Sequence, residues 1–310
     1  MRLVILDKSP RFELCSREKC KRIGRLIFRK IRGPQSLIQS LLLGLDDLRY
    51  EYIYNPKYDQ IRKDDVVYVT GSMSALKFAL ELKREGKIKK LIAGPTLVVT
   101  PDEHGGIIKD KNIDIYLVPS AWTKDFYASF GDEELNRKLQ ICPTGVSLPD
   151  KLSKKRDSFC LIYNKISDTE ILENVTQYLK KVNIPVQMLT YGKYKKKNYF
   201  SSLKKASFMI YFSEIESQGI ALLEAWAHDI PTLVWNNDRY TFAKIHKTVS
   251  GPISAPYLTD ACGVFFKKND IKEKFEYVIG NLNTFHPRLF VEHNFTNKIC
   301  AQNFLDIITK

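Results

Sequence analysis

The feature that most constrains this chain is an alternation that occurs twice along its 310 residues: short apolar runs separated by longer stretches with helical apolar spacing. Runs of strand length joined by helix-length connections pair as parallel strands, because a parallel pair needs a crossover. In the first half the predicted strands are 2–6, 66–70, 90–93, 113–118 and 140–142, with helices at 35–48, 74–85, 121–130 and 133–138. In the second half the strands are 159–163, 186–190, 208–212, 232–235 and 264–266, with helices at 168–182, 198–206, 220–228 and 270–281. A polar segment, 147–157, carries Pro149 and three lysines between the two series. The predicted division is therefore a domain at 1–148, a second at 149–297, and a final helical pattern at 298–310. Each series is a βαβ succession, which predicts an α/β fold of two doubly wound, Rossmann-like domains.

Ligands of doubly wound domains bind at the carboxyl ends of the strands. One such end is unusual. After the apolar run 208–212 comes Glu216-Ser217-Gln218-Gly219-Ile220-Ala221-Leu222-Leu223-Glu224, and then Pro231-Thr232-Leu233-Val234-Trp235. Glu216 falls in a strand-to-helix turn, and Glu224 falls about two helical turns further on. The backbone N–H groups of Gln218, Gly219 and Ile220 open the helix, where orphan donors and the helix dipole favour an anion. Each carboxylate can accept two hydrogen bonds from a diol. A diphosphate flanked by two hydroxyl-binding carboxylates matches a nucleotide-sugar.

With Gly219 at the turn, small Ala225 and Ala227, and the strand that follows, the segment from Ser213 to Trp235 resembles the Glu-x7-Glu region of retaining GT-B glycosyltransferases, especially glycosyltransferase family 4. The segments Ala93-Gly94-Pro95 and Val118-Pro119-Ser120-Ala121-Trp122 look like first-domain segments of the same enzymes. The resemblance implies two Rossmann-like domains facing a central cleft, with the C-terminal helix packing back on the first. It implies transfer of a sugar, of hexosyltransferase type, from a nucleotide diphosphate donor to a hydroxyl of a glycan or lipid-linked acceptor. Glu216 would then bind the donor sugar and Glu224 the ribose, while Ser217, Gln218, Gly219 and Ile220 would hold the diphosphate. Lys165, just after the strand 159–163, would neutralise the leaving diphosphate, with Lys193 as the candidate second cation. Here the chain departs from the family: it reads Tyr163-Asn164-Lys165-Ile166-Ser167 where a Gly-Arg pair followed by Lys is usual. Gly33 stands where the family carries a glycine-rich loop facing the donor phosphate. His104, in the turn-rich loop 100–106, could meet the acceptor hydroxyl or orient the sugar.

Other classes lack their key residues. No GxGxxG follows the first strand, and neither a P-loop nor a GxSxG is present. No Asp-x-Asp triplet occurs, in keeping with a metal-independent route that needs no cofactor beyond the donor. Six scattered cysteines form no CxxC pair, which argues for reduced thiols, a cytoplasmic setting and no zinc site. No apolar run approaches the about 18 residues of a membrane span. The net charge of +14 is partly local. Arg17, Lys19, Lys21, Arg22, Arg25, Arg29, Lys30 and Arg32 crowd one stretch, and Lys193, Lys195, Lys196 and Lys197 another. The first predicts peripheral contact with an anionic membrane. No zinc-finger or RRM pattern accompanies the charge, so nucleic acid is not an expected partner. A nucleotide-sugar epimerase or hydrolase on the same scaffold, or a basic binding module, are the alternatives the residues leave open.

Overall fold

The alternation folds into two parallel sheets in a computed structural model that describes residues 2–10, 33–152 and 159–309. The basic stretch 17–32 and part of the polar segment 147–157 lie outside the described residues. The chain divides into two compact units, Met1–Gly145 with Asn297–Lys310, and Val146–Thr296.

Unit 1 holds β1 (Arg2–Leu6), α1 (Gly33–Asp47), β2 (Tyr52–Tyr54), β3 (Asp65–Val69), α2 (Met73–Arg84), β4 (Lys90–Ala93), β5 (Ile115–Val118), α3 (Ala121–Ala128), α4 (Glu133–Lys138) and β6 (Leu139–Ile141). The six strands are all parallel, in the order β2-β1-β3-β4-β5-β6. Every residue of β3 is buried, as expected of an interior parallel strand covered on both faces. The edge strand β2 was not predicted: Tyr52-Ile53-Tyr54 is three residues long and lacks a clear run.

Unit 2 follows with β7 (Cys160–Asn164), α5 (Thr169–Lys181), β8 (Val186–Thr190), α6 (Lys196–Leu203), β9 (Phe208–Phe212), α7 (Ile220–Ala227), β10 (Thr232–Trp235), β11 (Arg239–Phe242), β12 (Lys247–Ser250), β13 (Gly263–Phe266), α8 (Ile271–Gly280) and α9 (Pro287–Asn294). Five strands form a parallel sheet in the order β13-β10-β9-β7-β8. The helices follow from local chemistry. Asp168 caps α5 by accepting from the Glu170 N–H at 2.9 Å, and Lys180 and Lys181 close its last turn. Ile171, Val175 and Leu179, spaced four apart, are buried on one face against Ile162, Ile210 and Phe212 of the sheet. Each such burial stabilises the unit by roughly 1.5–3 kcal/mol. The antiparallel ribbon β11–β12 and helix α9 are further elements the sequence reading did not include.

The last helix, α10 (Asn297–Thr309), belongs to unit 1 and packs on α1. Gly44 makes the contact possible: a Cβ there would lie 2.1 Å from the Asn297 carbonyl oxygen. Beside it Ser40 Oγ donates to Asn297 Oδ1 at 2.8 Å. Ala301, Phe304, Leu305 and Ile308 of α10 complete the core with Leu3, Ile5, Ile38 and Leu45.

Candidate functional site

The strand order of unit 2 reverses between β7 and β9. From β7 the chain runs outward to β8, then crosses back to β9 on the other side. The helices leaving neighbouring strands go to opposite faces at such a point and leave a crevice at the carboxyl ends. Lys165 follows β7 directly, and the Glu216 loop follows β9.

Strand register sets what meets there. Tyr163 of β7 pairs with Tyr211 of β9, and their rings stack at 5.1 Å with planes 12° apart. The ladder runs on past the strands, with the Lys165 N–H donating to the Phe212 carbonyl at 2.8 Å. Glu216, which is only 8% exposed, is held among the described residues by contacts from the backbone and from side chains. Its backbone N–H donates to the Ile253 carbonyl at 2.8 Å. Tyr211 Oη donates to its Oε1 at 2.6 Å, and Lys165 Nζ donates to the same oxygen at 2.5 Å. Lys165 Nζ also lies 4.9 Å from the centroid of the Tyr191 ring, an exposed aromatic at the end of β8.

The turn between Glu216 and α7 is shaped for close approach. Ser217 is exposed and Gln218 buried. Gly219 precedes the helix with φ +81°, a left-handed conformation that a side chain would strain, and Ile220 is the first helical residue. The first N–H groups of α7 have no intrahelical acceptors and carry the positive end of the helix dipole.

Two helical turns on, Glu224 meets Lys196 of α6 at 2.7 Å. Burial pushes the Glu224 carboxyl above the usual glutamate range, and the Lys196 charge and hydrogen bond draw it part of the way back. Lys196 Nζ also lies 5.3 Å from the Phe200 ring centroid, and Phe200 stacks on His228 at 5.6 Å. Between the two carboxylates runs a layer of tyrosines. Tyr163 and Tyr194 share a hydroxyl hydrogen bond of 2.6 Å, and Tyr199 Oη donates to the Ala221 carbonyl of α7 at 2.5 Å. Burial pushes the Tyr194 hydroxyl up to about 12 and also raises those of Tyr163, Tyr199 and Tyr211.

The structure thus brings Lys165, Glu216, the Ser217–Ile220 turn and Glu224 together within unit 2. Lys193 sits on the same β8–α6 connection with its side chain exposed, and it is Lys196 that reaches a carboxylate. Lys196 was hidden in the sequence by its neighbours Lys195 and Lys197. Tyr211 lay in what reads as a plain buried strand, and its hydrogen bond to Glu216 shows where its hydroxyl goes. The remaining two candidates belong to unit 1. His104 is exposed, in a left-handed conformation with φ 55°, in a loop whose Glu103 accepts from the Val99 N–H at 2.9 Å. Gly33 is the first residue of α1.

No protein-family model and no curated protein sequence matches the chain. Solved structures do. A lipopolysaccharide outer core galactosyltransferase, WaaB, in its apo form, aligns with a TM-score of 0.60 at 13% identity over 100% of this chain and 99% of its own. The catalytic domain of Starch Synthase IV from Arabidopsis thaliana, bound to ADP and acarbose, gives 0.56 at 9% identity over 99% and 98%. The GtfA/B complex gives 0.55 at 12% identity over 81% of this chain and 58% of that one. At these identities the likeness is one of fold, and the fold is the α/β architecture of the GT-B glycosyltransferases, with two Rossmann-like domains.

Proposed function

We propose that this chain is a glycosyltransferase that moves a sugar from a nucleotide diphosphate donor to an acceptor hydroxyl with retention of anomeric configuration. The observation that carries the reading is the pair of lysine–carboxylate contacts, Lys165–Glu216 and Lys196–Glu224, set either side of the N-terminus of α7 at the switch point of unit 2. The fold supports it, since the structures it resembles include a galactosyltransferase and a starch synthase domain bound to ADP.

In this reading the diphosphate lies against the N-terminus of α7 and draws Lys165 Nζ to itself. Glu216 accepts hydrogen bonds from the donor sugar, and Glu224 accepts them from the ribose. The bond between the anomeric carbon and the diphosphate oxygen breaks. The acceptor oxygen bonds to that carbon on the same face, and its proton passes to the departing phosphate oxygen. Lys165 stabilises the charge that develops there, in the manner of electrostatic stabilisers that account for much of many barriers. No nucleophile from the chain is required. The acceptor would be a glycan or lipid-linked glycan, and no metal has a part in the scheme.

Calorimetric titration of UDP, GDP and ADP and their sugar conjugates into the full chain tests this. Micromolar binding of one nucleotide, lost in Glu224→Ala, is the expected result. Absence of binding by every donor at millimolar concentration would exclude the reading. Product release from a bound donor without any acceptor would instead identify a hydrolase.

A further inference from the structure

Glu216 stands in a loop, on neither a helix nor a strand, yet its task in the proposed reaction requires a fixed carboxylate. Lys165 and Tyr211 both donate to its Oε1, and Lys165 is the one a diphosphate would compete for. Tyr211 differs on three counts. It is neutral, so a phosphate has little to gain from it. It is rooted in β9, a strand buried at every residue. Its ring is clamped by the register-paired Tyr163 and is itself only 1% exposed. A phenol fixed in this way keeps its oxygen in one place, and from there its hydroxyl donates to Glu216 Oε1.

We propose that Tyr211 is a positioning residue that keeps the Glu216 carboxylate aimed at the donor sugar after the diphosphate has drawn Lys165 away. The proposal rests on the donor-site reading above. It assigns to Tyr211 recognition of the sugar half of the donor and leaves the nucleotide half to α7, Lys196 and Glu224. Tyr163 has a different part: its ring supports Tyr211, while its hydroxyl is engaged with Tyr194. Removing the Tyr163 hydroxyl therefore leaves the aim of Glu216 intact.

The test compares Tyr211→Phe and Tyr163→Phe in the full chain, titrated with UDP, ADP and GDP and with UDP-glucose, ADP-glucose and GDP-mannose. For the nucleotide that the wild type binds, Tyr211→Phe should hold the free diphosphate within about twofold and bind the sugar conjugate about tenfold more weakly, the size of one hydrogen bond to a charged group. Tyr163→Phe should match the wild type for both ligands. Equal binding of the conjugate by wild type and Tyr211→Phe overturns the role of Tyr211 and leaves the donor site standing. Equal loss of both ligands in Tyr211→Phe, with a lowered melting temperature, assigns the tyrosine to packing and overturns it too. The same holds if Tyr163→Phe shows the sugar-selective loss. A wild type that binds none of the six ligands overturns the donor site and this proposal together.

Discussion

Lys196 Nζ stands 2.7 Å from a carboxylate oxygen of Glu224, although the two residues lie on successive helices that leave different strands. The pair neutralises a carboxylate that burial alone would disfavour in its charged form. It also places a cation beside the group assigned to the ribose. Removing either partner takes this contact from the other in a partly buried setting, so the two residues should behave as one unit.

Glu224→Gln and Lys196→Met should each weaken nucleoside diphosphate binding by about tenfold or more, and the double variant should be little worse than either single one. Calorimetry on the four proteins of the cycle measures this. Simple additivity of the two effects would show that the contact has no energetic consequence.

The same carboxyl predicts a pH dependence of stability. Its folded pKa lies above the ordinary value of 4.5, so in the window just above 4.5 the folded state binds more protons than the unfolded state. This contribution is greatest below the unfolded value and is lost as pH rises through the folded one. Glu224→Gln lacks it. Denaturant unfolding between about pH 5 and about pH 8 should therefore show the wild type losing ground to Glu224→Gln as pH rises.

Lys165→Ala should lower kcat/KM by about 100-fold or more, the scale of losing one preorganised electrostatic contact to a developing oxyanion. Lys165→Arg should recover part of it, because the charge is kept while the shape changes. Steady-state kinetics with the donor found by calorimetry would show this. Full activity in Lys165→Ala would move the leaving-group role elsewhere.

Gly44→Ala should be among the most destabilising methyl additions in unit 1. The new carbon would meet the Asn297 carbonyl, which is backbone and cannot swing aside. Overpacking of this kind costs about 1–3 kcal/mol. A melting temperature unchanged from the wild type would mean that α10 can shift outward without loss.

The buried tyrosine layer predicts sensitivity to alkali. The hydroxyls of Tyr163, Tyr199 and Tyr211 are held protonated well above 10.0, whereas an unfolded chain would release those protons near 10.0. Stability should then fall by about 1.4 kcal/mol per pH unit for each such group above about pH 10. Replacing Tyr199 by Phe should reduce that slope by one group, which denaturant titration at successive pH values would resolve.

Much of the fold could be read from the sequence because interior parallel strands are almost wholly apolar. The predicted bounds of 2–6, 90–93, 208–212 and 232–235 coincide with those of the interior strands β1, β4, β9 and β10. What escaped has identifiable reasons. The ribbon β11–β12 turns through Ala243–Ile245 and a left-handed His246, with none of the Asn-Gly or Asp-Gly chemistry that marks a hairpin. Helix α9 did carry a signal, since Pro287 at its first turn is a common helix opening. In the site, Glu216 and Glu224 stand out because they flank a strand-to-helix turn. Lys196 does not, because its partner lies on another helix that the sheet order brings near, and Tyr211 does not, because nothing in an apolar strand marks its hydroxyl for a carboxylate five residues on.

The membership of α10 in unit 1 has a consequence for the order in which the protein can be completed. Ribosomal synthesis makes the sheet of unit 1 first and delivers the helix that covers Leu3, Ile38 and Leu45 only after all of unit 2 has emerged. The nascent first unit must therefore wait with an apolar face open to water while its neighbour is translated. Unit 2, Val146–Thr296, is contiguous and has every strand and helix of its own core in hand before then. The later half of the chain is thus positioned to finish folding before the earlier half does.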